Sequence, residues 1–445
     1  MAANGYIFTR TPEGEPYSKD EKYAPRELLQ LIFNSTKENA DGSRQLYFDT
    51  EHYISLLTSA IIIKEPSTER ILNTDDSESI IRSGLYEAIS NQKGKLFNYE
   101  ALRASLHKKA KEFFSRPQTP YSVITSIAVT NFKKPRINTS DYTLRFGDSK
   151  QVNAMFKTID DSNHHLSDYI GKHQSCKFTP LTIDTSGRTK SEAFHLAMQS
   201  ADLIRAIWTT FSTKGSWKYN FGHPSIDPIT IMPYGPAFFI YNKSKRRMSS
   251  IFWVNRSHPI NPKFNQFDGK KQWPNIESIR LKAMRSINKQ PYKDKLKQIL
   301  VRYINALDSL DHSTSFLHLW SILEAITIPN TMQYDKLIDR ASRPFNRNSR
   351  PIAKEILKLI RTERNNLTHD AELKSDATHL TYHLKRVIDH HIQSLIFNSL
   401  NVDSINEYAE ILDLSTDTNI LQKKRRMIQT MLKRESLHSS TKPQP

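Results

Sequence analysis

Residues 352–369 read IAKEILKLIRTERNNLTH, and the organisation of the chain is worked out from this stretch. Its apolar residues recur about one helical turn apart, which predicts an amphipathic helix with a buried stripe formed by Ile352, Ile356, Leu359 and Ile360. Arg364 lies four residues after Ile360 and extends that stripe. A guanidinium there is costly unless something anionic meets it. We therefore expect an anionic partner for Arg364.

The two asparagines that follow, Asn365 and Asn366, predict the end of this helix, because asparagine tolerates the left-handed backbone that often follows a last helical turn. In an unbroken helix, Arg364 and His369 would point well over about 90° apart. A helix that ends at the asparagines can fold His369 back beside Arg364. A permanently charged guanidinium beside a near-neutral imidazole suits phosphodiester chemistry. The alternative is an ordinary basic helix terminus that caps carbonyls.

A second helix is predicted upstream, over residues 313–327 (STSFLHLWSILEAIT). Trp320 lies on its apolar face, and Glu324 lies beside that face. An aromatic-rich helix that carries a glutamate, followed by a helix that ends in R-N-x-x-x-H, resembles the HEPN superfamily, particularly its ApeA-like branch. The resemblance covers roughly residues 275–400, and the matching residues are Trp320, Glu324, Arg364, Asn365 and His369.

HEPN domains are small helical bundles that dimerise, and many are metal-independent ribonucleases of toxin–antitoxin, CRISPR-linked and anti-phage systems. The resemblance implies an endoribonuclease of an anti-phage (abortive infection) defence system that works without a cofactor. It also implies a homodimer, in which two Arg364/His369 sets share one cleft. RNA is the expected partner, and the N-terminal region is expected to sense a phage-derived trigger. Glu324 is expected to pair with Arg364, and Asn365 to contact the phosphate or cap the helix.

Two other functions stay open. Some HEPN domains have lost catalysis and bind RNA, nucleotides or partner proteins. Others are toxins controlled by a separate antitoxin, although toxin-type HEPN proteins are usually little more than the bundle, and this chain has a long region before it.

Charge and composition favour a polyanionic partner. The chain carries 64 Lys and Arg against 46 Asp and Glu, a net charge of +18, and nucleic acid is the commonest partner of such proteins. Only 12 glycines are present, with no G-x-G-x-x-G and no P-loop pattern, which argues against a nucleotide-hydrolysing motor. The single cysteine, Cys176, excludes an internal disulfide framework. With no apolar leader and no long apolar run, we expect a soluble, cytoplasmic protein that does not enter membranes.

A chain of 445 residues is too long for one ordinary domain. The predicted fold class is an α+β N-terminal region followed by an all-α, HEPN-type bundle. We expect a mainly helical region at 1–118, an α+β region with a sensor role at 119–265, the bundle at 275–400, and a helical tail with a disordered end at 401–445. The bundle helices are predicted at 276–289, 294–309, 313–327, 351–364 and 375–400.

Two basic loops are candidate RNA-binding elements. The first is the tip of a predicted hairpin at 236–255, flanked by the aromatics Phe238, Phe239, Tyr241 and Trp253. Basic tips with aromatic neighbours suit single-stranded RNA, and a solvated tip with core-facing aromatics is the alternative. The second loop precedes the Arg364 helix. The candidate cations are Lys243, Lys245, Arg246 and Arg247 in the first loop, and Arg347 and Arg350 in the second.

No metal site is predicted, although the chain has 16 histidines. His164, His165, His173 and Cys176 match no structural zinc spacing, and no C-x-x-C pair accompanies them. His379 and His383 stand one turn apart on the polar side of a packing helix.

Overall fold

Three hydrophobic cores organise the chain in the computed structural model, which is mostly helical and contains a small antiparallel sheet. The first core is built from N-terminal helices, the second from the sheet and a long helix, and the third from a C-terminal helical bundle. The structure describes residues 25–38, 44–45, 51–65, 70–90, 99–130, 136–139, 141–147, 178–212, 229–245, 247–258, 267–329, 331–369 and 377–439.

Helices and strands are numbered in chain order. The helices are α1 Pro25–Asn34, α2 Glu51–Ala60, α3 Thr74–Ser90, α4 Tyr99–Phe114, α5 Lys190–Ser212, α6 Gly269–Lys289, α7 Lys293–Asp308, α8 His312–Thr327, α9 Leu337–Ser342, α10 Arg350–His369, α11 Ala377–Phe397, α12 Ile405–Ile411 and α13 Thr418–Ser439, with a 3-10 helix at Thr331–Lys336. The strands are β1 Lys37–Glu38, β2 Arg44–Gln45, β3 Thr119–Ile127, β4 Val129–Thr130, β5 Arg136–Asn138, β6 Thr143–Phe146, β7 Thr179–Gly187, β8 Ala237–Asn242, β9 Arg247–Val254 and β10 Phe267–Asp268.

The N-terminal core contains buried residues from α1 to α4, and its tightest contact joins α3 to α4. A Cβ atom at Gly84 would lie 2.7 Å from Leu106 Cδ2, so a glycine is needed for the two helices to approach this closely. This core is joined to the sheet by polar contacts. Thr189, just before α5, donates a hydrogen bond of 2.8 Å to Asp76 Oδ1 of α3, and Arg188 forms ion pairs with Glu65 and Glu192.

The main sheet has six strands in the order β5-β6-β7-β3-β8-β9, and every neighbouring pair is antiparallel. The central strand β3 pairs with β7 along its whole length, from Thr119 opposite Gly187 to Ile127 opposite Thr179. Helix α5 covers the sheet with a buried stripe that includes Phe194 and Trp208. The predicted hairpin is confirmed as β8 and β9.

The C-terminal bundle confirms the predicted helices, with two differences at their ends. Helix α6 begins at Gly269, seven residues before the predicted start at 276, and includes Pro274. Helix α10 continues to His369, past the predicted stop at Asn365 and Asn366. The bundle core also extends beyond residues 275–400, because Leu203 and Ile207 of α5 and Tyr408 of α12 are buried in it.

Helix α5 therefore belongs to two cores, and one buried guanidinium lies where they meet. Arg205 is 1% exposed and forms a two-pronged ion pair with Asp308, the last residue of α7, at 2.5 and 3.0 Å. It also pairs with Asp202 at 2.8 Å, donates to the carbonyl of Met232 at 2.9 Å and lies 3.9 Å from the ring centre of Tyr234. Burial raises the pKa of Asp202 to about 6, although the positive charge of Arg205 opposes this shift.

Replacing Arg205 should be severe, because it leaves the buried Asp202 and the partly buried Asp308 without their cation. We expect Arg205→Met to lower the free energy of unfolding by about 3–5 kcal/mol, the usual cost of breaking a buried ion pair. Chemical denaturation at pH 7 measures this. Arg285→Met, at an exposed position of α6, is the matched control, and its free energy of unfolding should be close to that of the parent. Equal stability of the two variants would contradict the structural role of Arg205.

Because the pKa of Asp202 is raised, the free energy of unfolding should change with pH in a direction that can be predicted. The pKa of Asp202 is about 6 in the folded protein, against an ordinary value of 3.8 that applies to the unfolded chain. Between these two pH values, Asp202 therefore holds more of a proton in the folded state than in the unfolded state. The contribution of Asp202 to stability therefore falls as the pH rises from about 4 to about 6. Asp202→Asn should gain stability relative to the parent over this range in urea titrations. Asp403→Asn, an exposed control, should show a constant difference from the parent.

Candidate functional site

A tryptophan, a glutamate and an arginine form a chain of contacts between α8 and α10. The indole Nε1–H of Trp320 donates a 2.6 Å hydrogen bond to Glu324 Oε1. That same oxygen lies 3.9 Å from Nη2 of Arg364, which confirms the predicted pairing at the outer limit of a salt bridge. The indole ring is buried, whereas the side chains of Arg364 and Glu324 are 29% and 26% exposed. The arginine is thus oriented by the bundle and open to a ligand.

Local sequence explains why these groups meet. Trp320 and Glu324 are four residues apart on α8 and therefore lie on one face of the helix. The helix begins at Asp311, whose carboxylate accepts hydrogen bonds from the backbone of Ser313 at 3.0 Å and Thr314 at 3.2 Å. The hydrogen bond from the Thr314 hydroxyl is the main reason that the pKa of Asp311 is lowered. This cap fixes the start of the helix that carries Trp320 and Glu324.

Tyr334, in the 3-10 helix after α8, is a site residue that the sequence did not indicate. Its hydroxyl oxygen is buried and has no hydrogen-bond partner among the described residues. Burial raises its pKa, and the negative charge of Glu324 raises it further, while Arg364 and Arg361 act in the opposite direction. The phenol is therefore protonated at neutral pH and keeps a hydrogen-bond donor beside the Glu324–Arg364 pair. No periodicity or motif marks a tyrosine in a short connecting segment.

The predicted break after Arg364 is wrong. Helix α10 runs without interruption through both asparagines, and the hydroxyl of Thr368 donates to the Arg364 carbonyl at 2.7 Å. Leu367 packs against the bundle core, which favours one more helical turn over the left-handed conformation that asparagine merely permits. Arg364 and His369 are therefore about 140° apart around the helix and about 7.5 Å apart along its axis.

These two side chains consequently face different ways within one chain. The buried residues of α10 are Ala353, Leu357, Ile360 and Glu363, and the half-buried Arg364 lies on the same inner face, near the end of the helix. His369 is exposed on the opposite side of the helix. Asn365 is also exposed, and its Oδ1 accepts a 3.2 Å hydrogen bond from Nη1 of Arg364, so it orients the guanidinium. A single chain therefore brings together Glu324, Arg364 and Asn365, but not His369.

The predicted apolar stripe of α10 is rotated relative to the observed one. Ile360 is buried as expected, whereas Ile352 is 66% exposed and Leu359 is 49% exposed. Both exposed residues lie seven positions apart, on the same face of the helix. The apolar face of α10 is thus wider than the surface that the bundle covers.

The predicted aromatic neighbours of the hairpin tip between β8 and β9 differ in exposure, with Trp253 46% exposed and Tyr241 half-buried. Phe238 and Phe239 are fully buried in the sheet, which supports the alternative of core-facing aromatics. Lys243 is held 2.8 Å from Asp184 of β7, a carboxylate that also forms an ion pair with Arg145. Lys245 is exposed. Arg246, and the side chain of Arg247, lie outside the described residues.

The two arginines of the second basic loop have different environments. Arg347 is exposed and available to an external anion. Nη2 of Arg350 instead donates to the carbonyls of Arg343 at 3.2 Å and Phe345 at 2.9 Å. Arg350 therefore stabilises the loop that contains Arg347.

The described ranges of the chain contain no cluster of three or more His, Cys, Asp or Glu able to hold a metal ion. The predicted group of His164, His165, His173 and Cys176 lies outside those ranges. No helix within them has the length and apolarity required to span a bilayer.

Comparisons with known proteins gave no match to a family model, a curated protein or a solved structure. The HEPN resemblance accordingly stays a prediction that rests on the residues Trp320, Glu324, Arg364, Asn365 and His369.

The exposed pair at the site should contribute little to stability. Because Glu324 and Arg364 are each about a quarter exposed, we expect Glu324→Gln to change the free energy of unfolding by less than about 1 kcal/mol. Leu323→Ala, next to it on α8 and fully buried, should cost about 2–5 kcal/mol. Urea denaturation of both variants tests this. A Glu324→Gln loss as large as that of Leu323→Ala would show that the pair is structural.

Proposed function

We propose that the chain is a HEPN-type, metal-independent endoribonuclease that acts as a homodimer. The observation that carries this proposal is the partly exposed Arg364 guanidinium, oriented by Glu324 on one side and by Asn365 on the other. A guanidinium held in this way is a preorganised phosphate-binding group. His369, exposed five residues later, supplies an imidazole near the same helix end. The net charge of +18 favours approach of a polyanion such as RNA.

The unbroken helix makes the dimer essential to this proposal. Since Arg364 and His369 of one chain point about 140° apart, they do not converge on one phosphate. Two copies related by a two-fold axis solve this problem, with Arg364 of one chain facing His369 of the partner subunit. The exposed apolar residues Ile352 and Leu359 provide a surface on α10 for such an interface.

The proposed reaction is an attack of the ribose 2′-hydroxyl on the adjacent phosphorus. His369 removes the proton from the 2′-oxygen or donates one to the leaving 5′-oxygen. Arg364 binds the phosphate and stabilises the charge that develops on its oxygens. The Tyr334 phenol is a further donor beside Arg364. The products are a 2′,3′-cyclic phosphate and a 5′-hydroxyl, and DNA is not cut because deoxyribose lacks the nucleophile.

The biological role follows from the family resemblance. An endoribonuclease of this kind acts in the cytoplasm in anti-phage defence and arrests growth by cutting RNA. In this proposal the region before the bundle senses a phage-derived trigger and holds the nuclease inactive until then.

A second candidate is a non-catalytic module that binds RNA or nucleotides. The distance between Arg364 and His369 along an unbroken helix favours it, because Arg364 alone can bind a phosphate without cleaving it. A toxin controlled by a separate antitoxin is a variant of the nuclease proposal and uses the same residues.

Two alanine variants test the nuclease directly. Arg364→Ala and His369→Ala should each lower cleavage of single-stranded RNA by at least about 100-fold in EDTA, because each removes a group that acts in the transition state. Arg285→Ala and His318→Ala, at exposed positions of α6 and α8, are matched controls and should cut at the parental rate. Parental rates in both site variants would refute the assignment. RNA binding without cleavage by the parent would favour the non-catalytic module.

Mixing the two inactive chains tests the shared cleft. Co-expression of Arg364→Ala with His369→Ala should restore part of the cleavage, since a mixed dimer keeps one Arg364 opposite His369 of the partner subunit. Cleavage is measured on the purified mixed dimer, with each homodimer as the control. An inactive mixed dimer would contradict a site built from two subunits.

A further inference from the structure

A cavity of about 480 Å³ lies at the opposite end of α10 from Arg364. It is open to solvent on one side and is bordered by the loop before α10, by α11, and by the segment from α12 to the start of α13. Arg350, which lines it, is 14 residues from Arg364, or about 21 Å along the helix. The cavity is therefore separate from the proposed nuclease site.

The lining of the cavity combines basic and apolar side chains. Its cationic and polar lining includes Arg343, Arg350 and His390, and its apolar lining includes Leu412, Leu414 and Leu421. No carboxylate lines it among the described residues. A site with few well-placed polar groups, an apolar wall and this volume is typical of small-molecule binding.

Neither arginine of the cavity has an ion-pair partner in the described part of the chain. Asp413, the nearest acidic neighbour in sequence to the cavity wall, pairs with Arg340 at 2.6 Å and Lys336 at 3.0 Å. Asp339 pairs with Lys354 at 2.6 Å. These carboxylates are therefore engaged by other cations and act on Arg343 only through their longer-range field.

Backbone carbonyls fix the two guanidiniums in place instead. Arg343 donates from Nε to the carbonyl of Leu412 at 2.6 Å, and Arg350 donates from Nη2 to the carbonyls of Arg343 and Phe345. Nε of Arg350 is buried and has no hydrogen-bond partner among the described residues. Donor groups of both side chains therefore remain for a ligand.

The two positive charges also act on each other. Burial lowers the pKa of Arg343, and the neighbouring charge of Arg350 lowers it further. The pKa of His390 is lowered as well, mainly by burial, so its imidazole is neutral at pH 7. An anion between the arginines would remove this repulsion, whereas a neutral or cationic ligand would not.

We propose that this cavity binds a small phosphorylated ligand of mononucleotide size. Arg343 and Arg350 hold the phosphate, because planar guanidiniums match phosphate oxygens in geometry and charge. Leu412, Leu414 and Leu421 contact the apolar face of the base. The site is independent of the nuclease proposal, because it uses none of the residues assigned to RNA cleavage.

Binding is measured by calorimetry on the full chain, with AMP, adenosine and inorganic phosphate as probes. We expect AMP to bind at least about 10-fold more tightly than either adenosine or phosphate, since only AMP can contact both the arginines and the apolar side chains of the lining. Arg364→Ala should bind AMP like the parent. Failure of AMP to bind, or loss of its binding in Arg364→Ala, would overturn the proposal.

Ser399 offers a matched pair of variants that leave the structural arginines untouched. Ser399 is exposed and lines the cavity, so substitutions there do not disturb the core. Ser399→Asp places a negative charge in the cavity and should weaken AMP binding at least about 10-fold, by repulsion of the phosphate and by pairing with the arginines. Asparagine has nearly the same shape as aspartate but carries no charge, so Ser399→Asn should bind AMP like the parent. Equal affinities of the two variants would overturn the assignment.

Discussion

The contact between the sheet and the bundle depends on Arg205. Its guanidinium is buried and paired with Asp202 in its own helix and with Asp308 at the end of α7. Breaking such a network is costly because each remaining carboxylate would be a buried, unpaired charge. The network therefore fixes the relative position of α5 and α7 more strictly than apolar packing, which is not directional. Helix α7 belongs to the bundle that carries Arg364, so the network also fixes the position of this bundle relative to α5.

The contacts of each cationic side chain indicate whether its charge stabilises the fold or is available to a ligand. Arg205 pairs with two carboxylates, whereas Lys243 shares the single carboxylate of Asp184 with Arg145. Arg364 has one carboxylate at 3.9 Å and remains partly exposed. Arg343 and Arg350 have carbonyl partners but no ion pair among the described residues. A net positive charge on the whole chain does not distinguish these cases, whereas the partners of each side chain do.

The HEPN resemblance predicted the pairing of Glu324 with Arg364, and hydrophobic periodicity was sufficient to predict the bundle helices and the β8–β9 hairpin. Periodicity failed where the outcome depends on residues distant in sequence. Packing of Leu367 on the core carries α10 past its asparagines, and exposure of Ile352 and Leu359 follows from how far the neighbouring helices extend. Likewise, Asp184 reaches Lys243 only after β7, β3 and β8 have paired. Tyr334 and the Arg343–Arg350 cavity arise from tertiary packing alone.

Helix α5 has a mechanical consequence for communication within the chain. Its 23 residues form a rod of about 34 Å, and over its second half the two cores pack against different faces of the same turns. Ile204 and Trp208 lie in the sheet core, whereas Leu203 and Ile207 lie in the bundle core. A rotation of this helix about its axis would therefore displace side chains of both cores together.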